Sequence, residues 1–195
     1  MDSVYSFCQT LYNCIYLPIH YYKNGHLQLV LPDTGFPFDL AVPHLSELAS
    51  REQAVTYLVT KEIHYIGLVQ NKKTGQMVLI GPVISIPPSP ASIRNIMKEY
   101  SISLEHRELL TELYQFMPQY SFHQFCHFLA LYYHELFNDM IDIDAYLNVY
   151  TDTGSTSEAS LHSAKIYDAK EMELFHNTYH YEQLYMDYIR SGNVD

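Results

Sequence analysis

The sequence has no tryptophan, three cysteines and half as many basic as acidic residues. Each shortage removes a class of protein. Cys8, Cys14 and Cys126 are odd in number and form no C-x-x-C pair, which argues against a disulfide framework and for reduced thiols in a cytoplasm. Eleven Lys and Arg against 22 Asp and Glu give a net charge of −11, a surface that repels phosphate backbones. Direct nucleic-acid binding by these residues is therefore not expected. No apolar run approaches the ~18 residues that a membrane-crossing helix needs, so no span is expected. The start, MDSVYSFCQT, lacks the basic and long apolar stretches of a secretory signal. These absences together predict a cytoplasmic chain without a membrane partner.

What is present is apolar and aromatic. Hydrophobic residues make up 48% of the 195, enough to build a core and to exclude wholesale disorder. Nineteen tyrosines bring apolar rings with polar tips, which suit cores, interfaces and small-molecule cavities alike.

The organising stretch is residues 54–86. Two β-rich runs, 63–69 and 77–86, flank the polar break Asn71-Lys72-Lys73-Thr74-Gly75, a hairpin pattern. Residues 54–60 supply a preceding antiparallel strand. Upstream, Val4, Phe7, Cys8, Leu11 and Ile15 form one helical stripe, with Ser3 in place to cap it. Pro18 ends that helix, and residues 18–22 and 26–31 are strands joined by the Asn24-Gly25 turn. Residues 32–43 form a loop with three prolines, whose Phe36, Phe38 and Leu40 are expected to fold over the sheet or a cavity. Residues 45–52 read as a short helix. The expected fold is thus α+β: a five-stranded antiparallel sheet with helices on one face. Its element order is that of PAS-type sensor domains, to which GAF domains are close in shape. Both hold small ligands between sheet and crossover.

Pro87, Pro88 and Pro90 end the sheet, with Ser89 as a helix cap and Pro90 in the first turn. Helices are expected over 90–100, 104–117 and 122–140. Ser121 and Gln124 have capping-box spacing, and Phe122, Phe125, Cys126, Leu129, Tyr133, Leu136 and Phe137 make the third helix's apolar stripe. Residues 151–163 are small and polar, as in a flexible linker. Residues 164–191 return to a helix whose Met172, Phe175, Tyr179, Met186 and Ile189 are spaced as a seam, for dimerisation or signalling. The expected organisation is a sensor domain over 1–88, a helical segment over 89–150 that packs on it or at a dimer interface, the linker over 151–163, and a connector helix over 164–195. Asn193 has the look of a cap for a further helix, so the chain is expected to be part of a longer protein.

Four stretches carry a family resemblance: Leu17-Pro18-Ile19-His20-Tyr21, Tyr65-Ile66-Gly67-Leu68, Val78-Leu79-Ile80-Gly81-Pro82-Val83, and the segment from Phe175-His176-Asn177-Thr178-Tyr179 to Gly192. They resemble the N-terminal sensor region of bacterial AraC-type transcriptional regulators. The resemblance implies a ligand-sensing or dimerising module, a homodimer with a small-molecule effector. DNA would be contacted only by helix-turn-helix units C-terminal to this sequence.

The chemical motifs are weighed against plainer readings. His123 and His127 are spaced for one helix face, with His134 seven residues further on, but position 124 is Gln and the H-E-x-x-H pattern is missing. A solvated face is the expectation. Asp139, Asp142 and Asp144 lack the glycine and terminal Glu of a calcium loop. No G-x-S-x-G and no supported Cys–His pair is present. Neither enzyme activity, metal nor cofactor is expected. Tyr22, Phe36, Phe38, Tyr57, His64 and Tyr65 are the candidate lining of a ligand cavity, against the alternative of an ordinary aromatic core.

Overall fold

The computed structural model describes residues 3–60 and 64–142, all within the first of two units, residues 1–152, into which the chain divides. The expected linker and the seam residues Met172, Phe175, Tyr179, Met186 and Ile189 lie outside the described residues, as does Asp144.

Helix α1 (Ser3–Ile15) carries the expected stripe and buries Val4 and Cys8. Ser3 is its first described residue rather than a cap outside it. Strand β1 (Ile19–Lys23) pairs antiparallel with β2 (His26–Leu31). Their turn places Asn24 and Gly25 at φ 51° and 77°, the left-handed pair that a tight hairpin requires. The apolar loop follows, then helix α2 (Leu45–Ser50). Strands β3 (Val55–Val59), β4 (His64–Asn71) and β5 (Gln76–Ile84) form a meander, and β5 returns to pair with β1. The five-stranded antiparallel sheet has the order β2-β1-β5-β4-β3.

Helix α3 (Pro90–Glu99) begins at Ser89, whose hydroxyl accepts from the Ser92 N–H. Helix α4 is Arg107–Phe116, entered through a short 3-10 turn at Leu104–His106. Helix α5 (Phe122–Phe137) has both halves of the capping box. Ser121 Oγ accepts from Gln124 N at 3.2 Å, and Gln124 Oε1 accepts from Ser121 N at 2.9 Å.

The expectation of helices on one face is corrected. Every residue of β4 is buried, so the strand is covered on both sides. Tyr65 and Val69 join β1's Ile19 and Tyr21 in a core under α1 and α5. Ile66 and Leu68 join Tyr22 and Leu79 in a second core against Leu48 of α2. A third core unites Leu40 of the loop and Ile84 of β5 with α3 and α4. A strand buried on both faces reads as a continuous apolar run rather than an alternation, and HYIGLVQN is nearly such a run.

Two details fix the layers. Helix α5 lies so close to β4 that a Cβ at Gly67 would come within 2.5 Å of Leu129 Cδ2. The stripe of α5 also includes Tyr132, fully buried against Phe7, whereas the expected Tyr133 is half-buried. At the far end of β4, the Asn71 side chain donates from Nδ2 to Leu136 O at 2.9 Å. It accepts from Lys73 N and Thr74 N through Oδ1. One amide thereby anchors α5 and shapes the β4–β5 turn.

Candidate functional site

A groove of about 1060 Å³ lies at one end of the sheet. It lies where β1 begins and β2 and β5 end, and three other segments close in on it. Tyr12, Ile15 and Tyr16 come from the end of α1, Val30 and Leu31 from β2, and residues 32–40 from the loop. Residues 113 and 115–120 from α4 and its exit complete it.

Local chemistry explains each wall. In β5 the pairing passes from Tyr65↔Val83 to Gly67↔Ile80, which leaves Gly81 and Pro82 facing Ile66 as a bulge. Gly81 sits at φ 107°, where a Cβ would meet Tyr65 O at 2.5 Å, so glycine is required there. The bulge also explains how a proline sits inside a central strand. Gly81 N donates to Pro18 O at 2.9 Å and so sets the start of β1 against the groove. On the far wall, Tyr120 N donates to Ile84 O at 2.9 Å, and Tyr120 Oη donates to Ile15 O at 2.8 Å. That second bond ties the exit of α4 to the end of α1. The Phe36 and Phe38 rings stack at 5.7 Å, giving the loop an aromatic inner face.

Into this apolar frame the fold sets one polar pair. His20 is 6% exposed, and its Nε2 lies 2.7 Å from Asp39 Oδ2. Asp39 Oδ1 accepts from Ala41 N at 2.7 Å and from Val42 N at 2.9 Å, an aspartate turn that also starts the 3-10 segment at Val42–His44. Burial alone would raise the Asp39 pKa. The hydrogen bond and charge of His20 and the two backbone N–H groups outweigh it and hold the carboxyl below its ordinary value. With Asp39 ionised and acceptor-only, His20 Nε2 carries a proton. The other ring nitrogen, Nδ1, is buried with no hydrogen-bond partner among the described residues.

The lining contains Asp33 and Asp39 but no Lys or Arg. It also contains no Ser, Cys or other ready nucleophile in reach of His20, only the Thr34 hydroxyl, which accepts from Phe36 N at 3.3 Å, and the tyrosines. The arrangement could hold a ligand between apolar walls and a polar set made of His20, Asp33, Thr34, Asp39, Gln115 and Gln119.

The six expected lining residues are divided by the structure. Phe36 and Phe38 line the groove. Tyr22 packs in the α2-side core, near enough to Asp39 that burial and then that charge raise its pKa. Tyr57 and Tyr65 lie on the opposite face, both against Phe122. His64 is fully buried beneath α4, where its Nε2 is 2.6 Å from Tyr114 Oη. His20, Asp39, Tyr120 and the Gly81-Pro82 bulge were not singled out from the sequence as groove residues. Two signals pointed to the pair: a histidine inside the apolar strand IHYYK, and a lone acid inside the apolar loop FPFDLAV.

His123, His127 and His134 are exposed on α5. Among the described residues no group of three or more His, Cys, Asp or Glu could hold a metal ion. No described helix is long and apolar enough to cross a membrane. Comparison with protein-family models, with curated proteins and with solved structures finds no match to this chain.

Proposed function

We propose that this chain is a cytoplasmic regulatory domain, the ligand-sensing and dimerising region of an AraC-type transcriptional regulator. The groove at the sheet end is its effector site. The observation that carries the reading is the groove itself: an apolar hollow around a buried His20–Asp39 pair whose second ring nitrogen is unpartnered. A pocket of this kind is the default place for a small ligand. The PAS-like element order, two strands, a helical crossover and a three-strand meander, supports the same reading. Catalysis is not part of the proposal, because the lining has no Ser, Cys or Lys nucleophile beside His20.

The groove joins the end of α1, the crossover loop and the exit of α4. A ligand held there favours one arrangement of those three segments, a population shift. In the resembling family that state reaches DNA through a separate C-terminal region. The test is a thermal-shift screen of uncharged, anionic and cationic compounds against the full chain and a Val30→Trp variant, which adds bulk to the groove wall. A compound that raises Tm by several degrees in the native chain and not in the variant supports an effector site. A shift equal in both chains, or none with any compound, overturns it. Light scattering over a dilution series then tests the remaining reading, a dimerising module with no ligand.

A further inference from the structure

The exposed face of α5 holds two imidazoles that lie outside the groove's lining. His123 and His127 are four residues apart in the first two turns, a spacing that sets two side chains one above the other on a helix face, with Cβ atoms about 5–6 Å apart. Their ring centroids are 4.3 Å apart and their planes cross at 82°. The backbone beneath them is fixed. The capping box of Ser121 and Gln124 holds the first turn. Phe125 and Cys126, which lie between the two histidines, are fully buried, and Leu129 meets β4 at Gly67. The helix positions therefore keep their spacing, and only the solvent-facing rings need to turn.

Two imidazoles at this spacing make a chelate. A tetrahedral ion with metal–nitrogen bonds of about 2.0–2.1 Å sets two ligand nitrogens ~3.4 Å apart. Rings centred 4.3 Å apart reach that separation by rotation of their side chains between staggered positions. One nitrogen from each ring suffices, and the other can keep a protein partner, as ligating histidines commonly do. The ion competes with the proton for the lone pair it takes.

Opposing effects decide whether such a pair binds. The positive end of the α5 dipole is close to His123 and costs an exposed cation less than about tenfold in affinity. Holding the second imidazole beside the first gains about a hundredfold or more over one ring alone, because the second bond forms within one molecule. The net charge of −11 also favours a cation. Among the described residues no third His, Cys, Asp or Glu completes a set with the pair. Two nitrogens without a carboxylate suit borderline transition ions, Cu²⁺ above Ni²⁺ and Zn²⁺, and not Mg²⁺ or Ca²⁺, which take oxygen ligands.

We infer that His123 and His127 form a two-histidine site for a divalent transition-metal ion, with water in its remaining positions. The test uses the full chain without a polyhistidine tag and three variants, His123→Gln, His127→Gln and His134→Gln. Calorimetry at neutral pH reads the binding of NiCl2, ZnCl2 and MgCl2. His134 is the control, since it lies about 10 Å along the helix from His127 and its Nδ1 is 3.1 Å from Asp139 O. All three side chains are exposed, so the variants keep the core, and equal Tm values in EDTA check that.

Removal of either His123 or His127 is expected to weaken the binding of one Ni²⁺ or Zn²⁺ about a hundredfold, and removal of His134 to leave it unchanged. Mg²⁺ should show no binding that depends on the pair. Ni²⁺ should broaden the side-chain NMR signals of His123 and His127 before those of any other histidine. Unchanged affinity in the His123 and His127 variants would place the ion elsewhere on the chain and overturn the assignment. Equal weakening by His134→Gln, Mg²⁺ bound as tightly as Ni²⁺, or no binding of Ni²⁺ and Zn²⁺ at all would each overturn it as well. None of these outcomes bears on the groove.

Discussion

Acidification from about pH 7.5 to about pH 5.0 is expected to destabilise the protein by about 2 kcal/mol through one residue, His64. Its ring is fully buried at the start of β4, stacked 5.6 Å from the Tyr114 ring of α4. Nε2 is engaged by Tyr114 Oη at 2.6 Å, and Nδ1 has no partner among the described residues. A second ring proton would therefore sit in an apolar setting with no acceptor. Burial, and after it the neighbouring charge of His44, lowers the His64 pKa from 6.5 to about 4.

The sign follows from proton counts. Between those two values the unfolded chain binds the proton and the folded chain does not, so stability rises with pH at up to ~1.4 kcal/mol per unit. The loss starts as pH falls through 6.5 and is complete near 4. Asp39, whose folded pKa is depressed, contributes stability that is present above its ordinary carboxylate value and lost as pH falls through the folded one. It does not enter the window above pH 5. Urea unfolding of the native chain and of a His64→Phe/Tyr114→Phe variant, at half-unit pH steps, isolates the term. Replacing both partners with rings of similar shape keeps the packing and avoids stranding one polar group. The difference between the two chains should change by about 2 kcal/mol across the window. A difference that stays flat would mean that folded His64 takes up its proton as readily as the unfolded residue does, and the account of a dry, acceptor-free site would be wrong.

Two further substitutions test the packing that holds the groove in place. Gly67→Ala should destabilise by about 1–3 kcal/mol, because the added methyl comes within 2.5 Å of Leu129 and 3.0 Å of Phe125 in a core with no slack. Denaturant midpoints check it, and a neutral result would show that α5 can lift from β4 at no cost. Asn71→Ala should cost about 2 kcal/mol, since it removes the donor to Leu136 O and the acceptor of two turn N–H groups from a residue 7% exposed. Faster hydrogen exchange confined to the end of α5 and the β4–β5 turn is the accompanying signature, and unchanged exchange there would contradict the anchoring role.

Local features of the fold were legible because their chemistry is local. Asn24-Gly25 reads as a left-handed turn, Ser89-Pro90 as a capped start, and Ser121 with Gln124 as a capping box, and each stands as expected. The five antiparallel strands were legible for the same reason. The second covered face was harder. Its evidence was the absence of alternation in HYIGLVQN, which Gly67 and the polar ends partly disguise. Tyr132 on α5 is a residue the expected stripe omits: it is fully buried, while the expected Tyr133 packs partly buried against the same core. The break in β5 was present in the sequence as Gly81-Pro82, but the bulge depends on pairing with β4 and on the bond to Pro18.

The groove belongs to the class of features that no single stretch encodes. Its walls come from segments more than a hundred residues apart, and Tyr120 reaching Ile15 O spans 105 residues in one hydrogen bond. The expected lining was chosen by residue type and so gathered rings that the sheet sends to opposite faces. Tyr57 and Tyr65 face α5, while His20 and Asp39 meet on the other side. The polar pair has a physical rationale that residue type alone misses. A histidine in a strand interior needs a partner, and Asp39 of the apolar loop supplies it. Asp39 then does two things at once, accepting from His20 and starting the turn at Ala41 and Val42. That double role makes the loop's position conditional on the state of His20.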